Sequence, residues 1–141
     1  MTRRGFTLIE MLVVIVILGI LASMASIRIA AIKDRATRTS MIEDLKNLVT
    51  AEESYYSVNE DYTSKVSEVE ISGKKSSSGT AAFSTSPGNK LKLTRKGTDG
   101  WNATMTNKAL STKPKTCGIF MGPAKYSPNK NVQAQGVPDC Y

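Results

Sequence analysis

Histidine is missing from the 141-residue chain, and with it the commonest general base and metal ligand. Cysteine is nearly missing too, with only Cys117 and Cys140. Two thiols without histidine make a poor zinc site, whereas a lone pair in an exported chain reads as one disulfide. Aromatics are nine in all and scattered, too few to argue for electron conduction. No nucleophile–base pairing, glycine-rich phosphate loop or metal-ligand spacing is present. These absences speak against an enzyme, a metal site and a bound cofactor. Carboxylates are almost absent from the second half: from Gly73 to Pro138 only Asp99 stands against eleven basic residues, a charge of +10. From Asp34 to Ser72 nine acidic residues face four basic ones, a charge of −5. Such a division suits a solvated surface, complementary faces on neighbouring copies, or a patch for DNA or another anionic polymer.

What the chain does have is concentrated at its start. In RRGFTLIEMLVVIVILGI, residues 3–20, a carboxylate (Glu10) stands just ahead of twelve consecutive apolar or glycine residues, Met11 to Ala22. A charged side chain in hydrocarbon costs roughly 2.5–3.5 kcal/mol on insertion-based scales, so one that persists needs a partner or a route to water. From Phe6 to Ile27 Glu10 is the only charge. As a helix that segment is about 33 Å long, enough for a bilayer core of roughly 30 Å. Arg3 and Arg4 hold its N-terminal end in the cytoplasm by the positive-inside rule, which leaves residues beyond 28 outside.

No helix breaker follows, since neither Gly nor Pro occurs between Arg28 and Ser57. The apolar positions change to helical spacing there: Met41, Leu45, Leu48 and Tyr55 share a face, with Ile42, Val49 and Tyr56 beside them. One helix from about Phe6 to about Ser57 is therefore predicted. A Ser/Gly/Lys-rich stretch at 72–79 breaks the pattern. Short alternating runs then read as strands at Thr80–Thr85, Lys90–Lys96, Trp101–Asn107 and Thr116–Met121, with PGN at 87–89 and GTDG at 97–100 as turns. The tail from Gly122 to Tyr141 reads as irregular, fixed by a Cys117–Cys140 disulfide. The fold class is α+β: a long N-terminal α-helix, its hydrophobic half projecting, packed on a small antiparallel β-sheet with a disulfide-closed C-terminal loop.

GFTLIEMLVVIVILGIL resembles the N-terminus of type IV pilins and their relatives in type II secretion: a small residue, then Phe, Thr, Leu, Ile, Glu and a long apolar run. NLVTAEESYYSVNEDYTS, residues 47–64, looks like the helix end and loop entry of many pilins. The resemblance implies a leader peptide over 1–5, a transmembrane and assembly helix over 6–27, and a globular head over 28–141. That head divides into an amphipathic helix half to about 57, a loop 58–79, a sheet 80–121 and a C-terminal loop 122–141. It further implies that a prepilin peptidase cuts between Gly5 and Phe6 and N-methylates Phe6, and that Glu10 sets assembly register by meeting the Phe6 amine of a neighbouring subunit. The implied partners are further copies of the chain, the inner membrane before assembly, and the pilus machinery (motor ATPase, platform protein and secretin).

Two departures from the family pattern bear on the branch. Ile27 stands where many pilins have a helix-breaking proline. Major pseudopilins end in an acidic calcium site, whereas Asp139 is the only carboxylate after Asp99 here. The expected function is thus a structural subunit of a type IV pilus, a surface filament for adhesion, twitching motility or DNA uptake. The alternatives are a minor pilin or type II pseudopilin, and a secreted domain cut after Ser23-Met24-Ala25 by ordinary signal peptidase. Lys90, Lys92, Arg95 and Lys96 beside Trp101 form a candidate patch for DNA or anionic surfaces, although a lone aromatic at strand spacing usually packs in a core.

Overall fold

The computed structural model describes residues 5–65 and 83–141, without the side chains of 25–28. The chain divides into two compact units, Met1–Lys33 and Asp34–Tyr141. A single helix, α1 (Leu8–Asn59), supplies elements to both. It ends two residues beyond the predicted limit, where Glu60 takes a positive φ of 55°.

In the second unit the helix presents the predicted stripe. Met41, Leu45, Leu48 and Ala51 are buried, while Glu43, Asn47 and Thr50 are exposed. Opposite them lies an antiparallel sheet in the order β1-β2-β3-β4: β1 (Asn89–Arg95), β2 (Trp101–Asn107), β3 (Thr116–Met121) and β4 (Asp139–Cys140). Strand alternation puts Leu93, Trp101, Ala103, Met105, Cys117 and Ile119 into one core with the helix stripe. β3 is buried on both faces, because Gly118 and Phe120 turn to the side covered by the C-terminal segment. At Gly118 a β-carbon would lie 2.7 Å from the Pro128 ring, so a hydrogen there is what lets that segment lie flat on the sheet.

Polar pins fix the helix to the loops. The buried Asp44 carboxylate accepts from the Ser86 amide (2.7 Å), the Ser86 hydroxyl (2.8 Å) and Asn89 Nδ2 (2.7 Å). Asn107 Nδ2 then donates to Asn89 Oδ1 at 2.8 Å, joining β2 to the same network. At the start of the unit Asp34, only 3% exposed, accepts from the Ser111 and Thr112 amides (3.0 and 2.8 Å) and from the Thr112 hydroxyl (2.6 Å). One turn on, Arg38 donates to the carbonyls of Thr112 (2.8 Å) and Pro114 (2.9 Å). These bonds hold the β2–β3 loop against the helix.

β2 and β3 match their predicted spans. β1 begins and ends one residue early, because the Lys96 amide closes the turn on Gly100 O (2.8 Å). The run predicted at Thr80–Thr85 is not a strand where it can be seen: residues 80–82 lie outside the described residues, Phe83 makes an isolated bridge, and 84–85 are irregular. The chain is drawn off there toward Asp44, which takes both the amide and the hydroxyl of Ser86. The tail is more regular than expected. It holds a short 3-10 helix at Ala124–Tyr126, and its last residues form β4, with Cys140 opposite Cys117 and joined to it by the disulfide. Two residues carry no periodicity, so β4 could not be read from sequence. The predicted loop lies outside the described residues from 66 onward.

Candidate functional site

The helix opens on Thr7-Leu8-Ile9-Glu10, and the two polar side chains cap it reciprocally. The Thr7 amide donates to Glu10 Oε2 at 2.9 Å, and the Thr7 hydroxyl donates to the same oxygen at 2.8 Å. The Glu10 amide points back at the Thr7 hydroxyl oxygen, 3.4 Å away. This is a capping box, in which side chains satisfy amides that the first helical turn leaves without partners. The carboxylate also stands at the positive end of the helix dipole. The pattern Thr-x-x-Glu ahead of an apolar run was its sequence signal, and Thr7 was the functional residue that sequence reasoning passed over. Glu10 thus has a local role before any neighbour is considered.

Behind the cap the helix is apolar on every side and covered on none. Exposure of its large apolar residues runs from 45% at Val14 to 84% at Leu8, and Phe6, just before the helix, is 76% exposed. A helix that is apolar all round belongs in a protein core or a membrane. Each such side chain left in water forgoes roughly 1.5–3 kcal/mol of burial. The segment is long and apolar enough to cross a bilayer by length and composition.

Residues 1–26 match the prokaryotic N-terminal methylation motif, the signature placed on just this cap and apolar run. Curated relatives include both type II secretion and type IV pilus proteins. The chain is 43% identical over 61 residues to the type II secretion system core protein G of Klebsiella michiganensis, covering 43% of each. It is 36% identical over 67 residues to the type IV major pilin of Myxococcus xanthus, covering 48% of this chain and 30% of that one. With the major component of the type IV wide pilus of Thermus thermophilus it shares 37% over 81 residues, covering 57% and 62%. The chain thus spans less than two thirds of the length of each of these relatives. Over the matched part it is similar to type IV pilins and to type II secretion core proteins alike.

The other residues singled out in the sequence are dispersed. Gly5 and Phe6 lie together ahead of the capping box and are exposed. Lys90 and Lys92 lie on the exposed face of β1, opposite Thr106 and Thr104 of β2. Arg95 is instead paired with Asp61 at the far end of the strand, and Lys96 enters the turn. Trp101 is wholly buried in the core, so it offers no stacking surface beside these cations. Near Arg95, a cleft of about 250 Å³ is lined by Tyr55, Asp61, Tyr62 and Lys65. Burial, aided by a bond to Glu53, pushes the Tyr62 hydroxyl up to about 12. Among the described residues no three His, Cys, Asp or Glu side chains are placed to hold a metal.

Proposed function

We propose that this chain is a structural subunit of a type IV pilus, made as a precursor, cut after Gly5 and polymerised through its N-terminal helix. The observation that carries the reading is the uncovered, all-round apolar helix directly behind a capped Glu10, within a matched methylation motif. Before assembly the bilayer covers that surface, and in the filament neighbouring helices do. A cut between Gly5 and Phe6 leaves both members of the capping box on the mature side and frees an amine at Phe6. Glu10 of one subunit then meets the Phe6 amine of the next. A paired charge in an apolar bundle is tolerated where a lone one is strongly disfavoured, so the pair sets the axial register. The prepilin peptidase, the inner membrane, further copies of the chain and the export machinery are the partners this reading requires.

The pilus branch is favoured by the C-terminal segment. It is closed by the disulfide and carries one carboxylate, Asp139, too few oxygens for the calcium site expected of a major pseudopilin. A type II secretion core subunit is the second reading, supported by the 43% identity to a core protein G. Mass spectrometry of the protein recovered from cells tests the proposal. The expected N-terminus is N-methylated Phe6, whereas a start at Ser26 removes Glu10 and the apolar helix and overturns it. Recovery from sheared surface fibres supports the pilus branch, and retention in the envelope with loss of secretion on deletion supports the other.

A further inference from the structure

We infer that the cleft beside Arg95 binds a neutral saccharide, one sugar ring at a time. The inference does not depend on the filament reading, because every residue lining the cleft belongs to the unit Asp34–Tyr141. Three elements meet there. The end of α1 gives Tyr55, the segment after it gives Asp61, Tyr62 and Lys65, and the end of β1 gives Arg95. The walls are held from behind. The wholly buried Glu52 accepts from the Thr63 amide at 3.3 Å, and Glu53 accepts from the Tyr62 hydroxyl at 3.0 Å. Tyr56, outside the cleft, lies against the Tyr62 ring with the centroids 4.7 Å apart. Asp61 accepts from the Tyr62 amide at 2.9 Å with one oxygen and pairs with Arg95 through the other. A wall already ordered loses little side-chain freedom when a ligand arrives.

The chemistry of the lining selects the ligand class. Every lining residue carries a hydroxyl, a carboxylate or a cation, and two tyrosine rings supply apolar surface among them. A wholly apolar ligand would strip water from those polar groups without replacing its hydrogen bonds. An anion would meet Asp61, with Glu52 and Glu53 bonded to the wall behind it, and a cation would meet Arg95 and Lys65. What fits is a neutral molecule with hydroxyls at its rim and C–H groups on its faces, which describes a sugar ring. The Asp61–Arg95 pair sets an acceptor beside a donor, and each sugar hydroxyl can both give and take a hydrogen bond. Tyr62 contributes its ring. Burial first, and the bond to Glu53 second, push its hydroxyl up to about 12, so it stays protonated with its hydrogen committed to Glu53. A fixed aromatic ring gives contact area at little entropic cost. The volume of about 250 Å³ falls just below the roughly 300–1,000 Å³ of sites for drug-sized ligands, which suits one ring and not a chain of them.

The full-length protein, in micelles of a detergent without a sugar headgroup, can be titrated with glucose, galactose, mannose and N-acetylglucosamine. N-acetylneuraminic acid and choline serve as the anionic and cationic comparisons, and binding is read by saturation-transfer NMR. The expected result is saturable binding of at least one neutral sugar, severalfold tighter than either charged probe. Tyr62→Ala weakens that binding about tenfold, whereas Tyr62→Phe, which keeps the ring and loses the hydroxyl, binds nearly as well as the parent chain. Arg95→Gln also weakens it severalfold, and decides the matter if circular dichroism shows that Tyr62→Ala does not fold. Three results overturn the inference: no binding of any of the four neutral sugars, tighter binding of a charged probe, or binding indifferent to both Tyr62→Ala and Arg95→Gln. None of them touches the filament reading, which stands or falls on processing at Phe6.

Discussion

Glu10 and Asp34 are carboxylates on the same helix, and their surroundings give them opposite tasks. Glu10 is bonded only to its own turn, through Thr7, and so remains accessible to an amine from another chain. Glu10→Val is expected to leave membrane insertion intact while lowering filament yield at least severalfold, read by shearing and immunoblotting; normal yield sinks the register role. Asp34 is committed inward. The Thr112 hydroxyl, followed by the Ser111 and Thr112 amides, holds its carboxyl down from the ordinary 3.8 to about 2. A depressed folded value stabilises the fold above the unfolded value and loses that contribution as pH falls through the folded one. The melting-temperature advantage of wild type over Asp34→Asn should therefore be complete at pH 5 and shrink between about pH 4 and pH 2. A pH-independent gap contradicts the assignment. Glu10 was legible from its setting in the sequence. Asp34 was not, because its partners lie 77 and 78 positions away and no local pattern joins them.

Helix α1 changes environment along its length, and substitutions should separate its two parts. Leu48 is fully buried beneath the sheet, whereas Leu12 is half exposed in the capped apolar segment. Leu48→Ala should destabilise the second unit by about 2–5 kcal/mol through the cavity it leaves, measured by denaturant unfolding in detergent. Leu12→Ala should leave that transition unmoved and alter only insertion or assembly; a comparable shift in both variants contradicts the division. Both regimes were visible in advance as a change from continuous to periodic apolar residues, and so were β2 and β3. The element that misled was the run at Thr80–Thr85, whose described residues, 83–85, form no strand. Its alternation suits a strand, but the chain at Ser86 is bonded to a helix carboxylate instead of a ladder, and local pattern does not report a competing long-range acceptor.

For the molecule as a whole, the two units meet different demands. Asp34–Tyr141 holds the buried core and the disulfide, and in the segment before it the large apolar residues described from Phe6 to Ile32 are all exposed. Cys117 and Cys140, 23 positions apart, tie the chain's end onto β3. By chain-entropy estimates a loop of that length contributes roughly 3 kcal/mol. Cys117→Ser with Cys140→Ser should lower unfolding stability by about that amount and open residues 122–138 to proteolysis. An unchanged digestion pattern shows that Phe120, Val132 and the Tyr126–Asp99 bond hold the tail without the disulfide. The charge division takes on a position at this scale. The acidic stretch is largely helix face, with Asp34 and Asp44 consumed in pinning loops, so the cations of the second half are less balanced on the surface than the sequence total suggests.

The sequence alone determined the features that depend on neighbours along the chain. These are the 52-residue helix, its apolar and amphipathic regimes, the central hairpin strands and the glutamate at the head of the apolar run. Their signals are periodicity, composition and spacing, which local sterics and burial read directly. Tertiary structure decided what depends on residues far apart: the pinning of loops by Asp34 and Asp44, the burial of Trp101 that removes it from the basic patch, and the two-residue strand at the C-terminus. Hydrogen bonds from a buried carboxylate and burial between layers are set by where the folded chain returns. That return is a property of the packed whole, and no window of the sequence contains it.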